Sequence, residues 1–327
     1  VVDRRFVLQR AEKEKFVELM RLYEEFCGVK VVTYCVMTNH FHLLLEVPPR
    51  PEEEMEDEEL IGKLAKVYSP FYVEQISTWL ATARAAGALD EVARLKEKFF
   101  YRMWDLSEFM KVLKQRFTQW FNRKHNRKGT LWESRFKSVL VENGHAARMM
   151  AAYIDLNPVR AGMVKDPKAY RWCGYGEAVA GSQKAREGVV RVLESNEGDS
   201  GAVADSLTAL ERMEQYRVLL FEDGELVESD PRAPSARARS YKKGMTPKQV
   251  AKVLESGGKL TQSQMLRCRI RYFTDGMVIG SKAFVDDFFV KNRESFSKGR
   301  KSGARKFRKI ADKKLHAIRD LQREPVG

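Results

Sequence analysis

Val31-Val32-Thr33-Tyr34-Cys35-Val36-Met37 is a run of β-branched and aromatic residues, and a second apolar run, Leu43-Leu44-Leu45, follows it across Thr38 and Asn39. Two such runs joined by turn formers predict a hairpin over residues 30–47, closed by Pro48 and Pro49. Upstream, residues 4–9 are a short apolar piece. Glu12 to Phe26 then carries Phe16, Val17, Leu19, Met20, Leu22, Tyr23 and Phe26 at helical spacing, and Gly28 stops it. Residues 50–60, rich in Pro and Glu, read as a solvated loop. Residues 60–104 carry two helical patterns, one through Leu80 and one through Val92, Leu95, Phe99 and Phe100, and read as an insertion between core elements.

Asp105 to Asn122 predicts a further helix, with Ser107 as N-cap and Met110, Val112, Leu113, Phe117, Trp120 and Phe121 on one stripe. The basic loop Arg123-Lys124-His125-Asn126-Arg127-Lys128-Gly129 leads to an alternating strand, Arg135 to Val141. The next helix spans 145–157 and contains Met149, Met150, Tyr153, Ile154 and Leu156; Pro158 ends it by disfavouring helix geometry at Asn157. Strand fragment, helix, hairpin, helix, strand and helix in this order predict an α+β fold, a ferredoxin-like antiparallel sheet with helices on one face. Beyond it lie a linker and helical region (181–240) and a helical accessory domain (241–297). That domain opens with a cap and proline at Thr246-Pro247, has Thr261 and Gln264 spaced as a capping box, and ends in a helix capped by Ser281 with Phe284, Val285, Phe288 and Phe289 inward. It reads equally as a DNA reader or as a plain accessory domain. The last piece, 298–327, is a basic tail that is disordered or binds phosphate.

Charge narrows the partners. Lys and Arg number 59 against 45 Asp and Glu, a net charge of +14, so an anionic partner is expected, nucleic acid before others. The balance is uneven: residues 52–59 are nearly all acidic. Cys27, Cys35, Cys173 and Cys268 form no Cys-x-x-Cys pair and read as reduced thiols of a cytoplasmic protein. No apolar run reaches membrane-spanning length and no secretion signal is seen, so no membrane partner is expected.

Three stretches carry candidate chemistry. On the returning strand of the hairpin a period of two puts His40 and His42 on one face, with Phe41 on the other. Two neutral imidazoles side by side either hold a divalent ion or are satisfied by hydrogen bonds. Arg123, Lys124, Arg127, Lys128, Arg135 and Lys137, interleaved with aromatics, either meet phosphates while rings stack on bases or line an ordinary solvated loop. Tyr153 and Asn157 are four apart on one helix face; a tyrosine there is a core residue unless something else recruits it.

In order and spacing, Tyr34-Cys35-Val36-Met37-Thr38-Asn39-His40-Phe41-His42-Leu43-Leu44-Leu45, Leu131-Trp132-Glu133-Ser134-Arg135-Phe136-Lys137 and Tyr153-Ile154-Asp155-Leu156-Asn157-Pro158-Val159-Arg160-Ala161-Gly162 closely resemble the REP-associated tyrosine transposases. These are single-tyrosine members of the His-hydrophobic-His (HUH) endonuclease superfamily. The resemblance covers residues 1–180, and Val278 to Val285 looks like the C-terminal extension of one branch. It implies the HUH fold, a divalent metal (Mg²⁺ or Mn²⁺) on His40 and His42 with Asn157 as a third ligand, and Tyr153 as nucleophile. It further implies single-stranded or hairpin DNA as partner, a monomer or homodimer, and a bacterial, nucleoid-associated setting. Two departures stand out. The family pattern opens with a strand carrying a Tyr-His-type segment, and this chain reads as starting after it; the insertion at 50–104 is longer than in compact members. A catalytically impaired hairpin-binding protein of the same fold is therefore one alternative, and a rolling-circle-type nickase another. The nickases often carry a second nearby tyrosine or a fused helicase. No second tyrosine follows Tyr153 within a turn and there is no Gly-x-x-x-x-Gly-Lys-Ser/Thr loop. No general base stands out; His125 and His145 are conceivable, and equally solvated or structural.

Overall fold

The computed structural model describes residues 6–194, 208–221, 266, 272–275, 277–307, 310 and 312–318. They form a mixed α+β architecture of helices and small sheets, which divides into two compact units. The first takes in residues 1–31, 36–41 and 45–135, and the second residues 32–35, 42–44 and 136–327.

In the first unit α1 (Arg10–Cys27) buries Phe16, Leu19, Met20, Tyr23 and Phe26 and ends at Gly28, whose φ of 66° is a left-handed cap that glycine adopts without strain. The hairpin forms where the sequence puts it, as β1 (Lys30–Val36) and β2 (Phe41–Glu46). Met37 N–H donates to the His40 carbonyl at 2.8 Å, closing the turn over Thr38 and Asn39. Behind it Phe41 packs against Phe16 (4.6 Å between ring centres) and Trp132 (5.3 Å), with Phe117 completing the cluster.

The insertion holds three helices rather than two: α2 (Asp57–Val67), α3 (Pro70–Ala85) and α4 (Leu89–Phe100). The missed break is at Ser69-Pro70. Proline disfavours helix geometry in the residue before it, and Ser69 Oγ then accepts from Tyr72 N–H as the cap of α3. The acidic run is not simply solvated either. Lys96, whose side chain is 2% exposed, reaches Glu54 and Asp57, each at 2.8 Å, and donates to the Met55 carbonyl. Asp57 also pairs with Arg84; that guanidinium first, and Lys96 after it, hold the Asp57 carboxyl down at about 2. Removing the ammonium leaves half-buried carboxylates without their counter-charge. Lys96→Ala is therefore expected to cost about 2 kcal/mol in denaturant unfolding, below the range for fully buried pairs because Glu54 is largely exposed.

Helix α5 (Leu106–Lys124) is capped by Asp105, not Ser107: Asp105 Oδ1 accepts from Glu108 N–H at 2.8 Å. The strand expected at 135–141 shrinks to β3 (Leu140–Val141), because its partner β4 (Val278–Gly280) pairs with it over two residues only.

The second unit is built around α6 (His145–Asp155), which stops short of 157 at Leu156; Asn157 opens the short α7 (Asn157–Arg160). Then come α8 (Gly174–Val179), α9 (Gln183–Glu194), α10 (Ala209–Phe221), α11 (Tyr272–Asp275), β4 and α12 (Lys282–Lys291). Ser281 Oγ accepts from Phe284 N–H and so caps α12 as expected, with Val285 and Phe289 buried. Thr246, Pro247, Thr261, Gln264 and Cys268 lie outside the described residues. The basic tail is corrected over 301–307 and 312–318. There β5 (Arg305–Lys306) and β6 (His316–Ala317) join a four-stranded sheet of order β3-β4-β6-β5, parallel at β3–β4 and antiparallel elsewhere. Leu315, Ala317 and Ile318 are buried there; these few apolar positions decide the outcome over the surrounding lysines and arginines.

Candidate functional site

His40 opens the returning limb of the hairpin and is exposed, and His42, two residues on within β2, is partly buried. Strand alternation puts both on the side away from Phe41. His40 Nδ1 lies 2.6 Å from Asn39 Oδ1. With the proton on Nδ1 this is a donor bond, and Nε2 keeps the lone pair a metal takes; such a hydrogen bond on the other ring nitrogen is how a ligating imidazole is held in one tautomer. Asn39 was not singled out from sequence, where it reads only as a turn former.

Tyr153 lies near the end of α6 and is 3% exposed. The Arg160 guanidinium sits 3.7 Å above its ring, and Phe273 packs 4.6 Å away at 44°. Arg160 Nη2 donates to the Tyr153 carbonyl at 2.6 Å. Asn157 Nδ2 donates to the carbonyls of Tyr153 (3.4 Å) and Ile154 (3.2 Å), so the amide group caps the helix end while Oδ1 remains the atom with lone pairs for a ligand.

The helix is anchored by a residue that the sequence reading passed over. Asp155, fully buried, accepts from Thr33 Oγ1 of β1 (2.9 Å), Tyr175 N–H of α8 (3.1 Å) and Tyr216 Oη of α10 (2.6 Å). Burial pushes its carboxyl up to about 6 against the pull of those three bonds. The fit between strand and helix is close: a Cβ on Gly174 would lie 2.2 Å from Thr33 Oγ1, so no larger residue enters there. Thr33, His42, Tyr153 and Asn157 all fall in the second unit, His40 in the first. A lone carboxylate in the apolar stretch Tyr153-Ile154-Asp155-Leu156 was the available signal.

Of the basic residues, Arg123, Lys124, Arg127 and Lys128 gather at the C-terminal end of α5 and the loop after it, and all but the half-buried Arg127 are exposed. Lys124 bonds Glu12 (2.6 Å) and lies 5.0 Å over Trp120; His125 Nε2 is 3.1 Å from the same carboxylate. Burial works to raise the Glu12 carboxyl, but the bonds from Lys124 and His125 outweigh it and leave it below its ordinary value. Asn122 Nδ2 donates to the Gly129 carbonyl and Arg127 to that of Thr130, which fixes the loop that presents Arg123 and Lys128. Lys114 lies 5.6 Å over Trp132, a further cation–aromatic pair on α5. Arg135 is exposed at the end of the first unit and Lys137 is exposed in the second. His145 pairs with Asp312 at 2.7 Å, which makes it a structural tie to the C-terminal segment.

Among the described residues no group of three or more His, Cys, Asp or Glu side chains gathers as a metal site, and no helix is long and apolar enough to cross a membrane. The family model described as "Transposase IS200 like" matches residues 1–78. That span contains α1, the hairpin with His40 and His42, and α2, and stops before α6. The match supports a transposase-type role on DNA. No curated protein and no solved structure gives a match.

Proposed function

We propose that the chain is a metal-dependent single-stranded DNA endonuclease and strand transferase, with Tyr153 as the nucleophile. The observation that carries this reading is the hydrogen bond from Thr33 to Asp155: it ties the helix bearing Tyr153 to β1, the hairpin partner of the strand bearing His42. The α+β frame, with β1 bridged at Cys35 to Cys173 on its other side, is compatible with the ferredoxin-like HUH sheet.

The donor set fits a hard-to-borderline divalent ion. His40 and His42 supply imidazole nitrogens, the first with its tautomer held by Asn39, and Asn157 Oδ1 is a suitable third ligand for Mg²⁺ or Mn²⁺. Such an ion, when bound, polarises a non-bridging phosphate oxygen as a Lewis acid. The tyrosine oxygen attacks phosphorus, the 3′-oxygen leaves as a hydroxyl, and a covalent phosphotyrosine remains; a second strand's 3′-hydroxyl reverses the exchange without an external energy source. Arg123, Lys124, Arg127, Lys128, Arg135 and Lys137 contact the phosphates, and Trp120 and Trp132 offer ring faces to unpaired bases. Since the Tyr153 ring is covered, the reaction requires the cover to move.

The test is incubation of the full chain with labelled single-stranded DNA carrying a hairpin, with Mn²⁺, with Mg²⁺ and with a chelator. A denaturation-resistant adduct is expected with either metal and none with chelator. His40→Ala with His42→Ala should lower adduct formation by at least about 100-fold, the scale of losing first ligands. An adduct indifferent to both chelator and the double substitution would sink the metal assignment.

A further inference from the structure

Tyr153 is shut in by residues more than a hundred positions further along the chain. Arg160 joins the two sides. While Nη2 bonds the Tyr153 carbonyl, Nη1 donates to the Leu266 carbonyl at 2.7 Å. Phe273 closes another side of the ring and is itself packed 5.9 Å from Phe307, on which its neighbour Tyr272 stacks at 4.3 Å. These are aromatic and neutral contacts; the Leu266 end of the Arg160 tie is a plain backbone carbonyl.

We infer that Arg160 is a phosphate-responsive latch on Tyr153, an inference that rests on the strand-transfer reading. A guanidinium bonds a phosphodiester about twice as strongly as a neutral carbonyl, and in a bidentate manner that one carbonyl does not offer. A backbone phosphate of bound DNA therefore takes Nη1 from Leu266. The exchange releases the tie on the C-terminal side and lets Phe273 leave the ring, while the Nη2 bond keeps Arg160 on the helix end that carries the phenol. The chain so protects its nucleophile until a DNA strand is in reach. Arg160 acts as a positioning residue, and its ligand is a phosphodiester.

Nitration by tetranitromethane reads this without reference to catalysis. The tryptic peptide of residues 149–160 contains Tyr153 as its only tyrosine, and Tyr101, 57% exposed, serves as internal standard. In the full-length protein without DNA, Tyr153 should nitrate far more slowly than Tyr101. Hairpin-bearing single-stranded DNA should accelerate it about tenfold, the scale of one hydrogen bond exchanged. Inorganic phosphate at millimolar concentration should do much less. Arg160→Gln and Phe273→Ala should each nitrate at the accelerated rate without DNA, and Arg160→Gln should show no further response to it. Thermal melting checks that both fold, and Phe273→Ala carries the test if Arg160→Gln does not. Nitration of wild-type Tyr153 as fast as Tyr101, no response to DNA, variants no faster than wild type, or phosphate alone matching DNA would each overturn the latch. The adduct assay separates the two readings. Nitration that responds to DNA without any adduct supports the latch and rejects strand transfer; an adduct with DNA-insensitive nitration does the reverse.

Discussion

Tyr153→Phe is expected to lower covalent adduct formation by at least four orders of magnitude, roughly the scale on which loss of a nucleophile acts. The substitution removes one oxygen and nothing else. The ring still lies under Arg160 and beside Phe273, so folding stability should stay within about 1 kcal/mol of wild type. Binding to hairpin DNA, measured by mobility shift, should be unchanged, because the cations that meet phosphate sit on α5 and the loops after it. Residual adduct in this variant would assign the chemistry to another hydroxyl. Loss of binding together with the adduct would point to a structural role for the phenol.

Asp155 gives the second large effect. Asp155→Ala strands the Thr33 hydroxyl, the Tyr175 N–H and the Tyr216 hydroxyl in a buried site, and should cost about 3–5 kcal/mol, a Tm loss of ten degrees or more. Asp155→Asn keeps an oxygen for the first two donors, and Tyr216 turns its hydroxyl to accept from the amide. It should retain most of the stability. Its pH behaviour follows from the raised carboxyl. Between the unfolded value, 3.8, and about 6 the folded state holds a proton that the unfolded state has lost. Stability from this group is therefore greatest below 3.8 and falls as pH rises to 6, by about 3 kcal/mol in all. Carboxylates held low, such as Asp57 and Glu12, produce the opposite trend, so the wild-type curve minus the Asp155→Asn curve isolates the term. A flat difference between pH 4 and 6 would show that Asp155 does not change protonation on folding.

How much of this was legible in the sequence depends on whether the signal was local. The hairpin, α1 and the Ser281 cap follow from runs, turn formers and caps within a few residues of each other, and the structure has them all. The break at Ser69-Pro70 is equally local and was readable. The fate of 301–318 was not, since its strands exist only through pairing with β4 and with each other, while the surrounding charge reads as solvated. For the same reason β3 is short: alternation along 135–141 gave a strand pattern, and the partner supplies two residues. In the candidate site the types His40, His42, Tyr153 and Asn157 stood out from the sequence by motif. Asp155, Arg160 and Phe273 did not, because their roles rest on contacts with residues distant in the chain.

The most direct measurement is the chemical identity of the DNA linkage. Adduct formed with hairpin-bearing single-stranded DNA and Mn²⁺, digested with trypsin and nuclease and sequenced by mass spectrometry, should carry its nucleotide on Tyr153 within residues 149–160. A nucleotide found on any other residue, or no covalent product under any metal condition, would contradict the account.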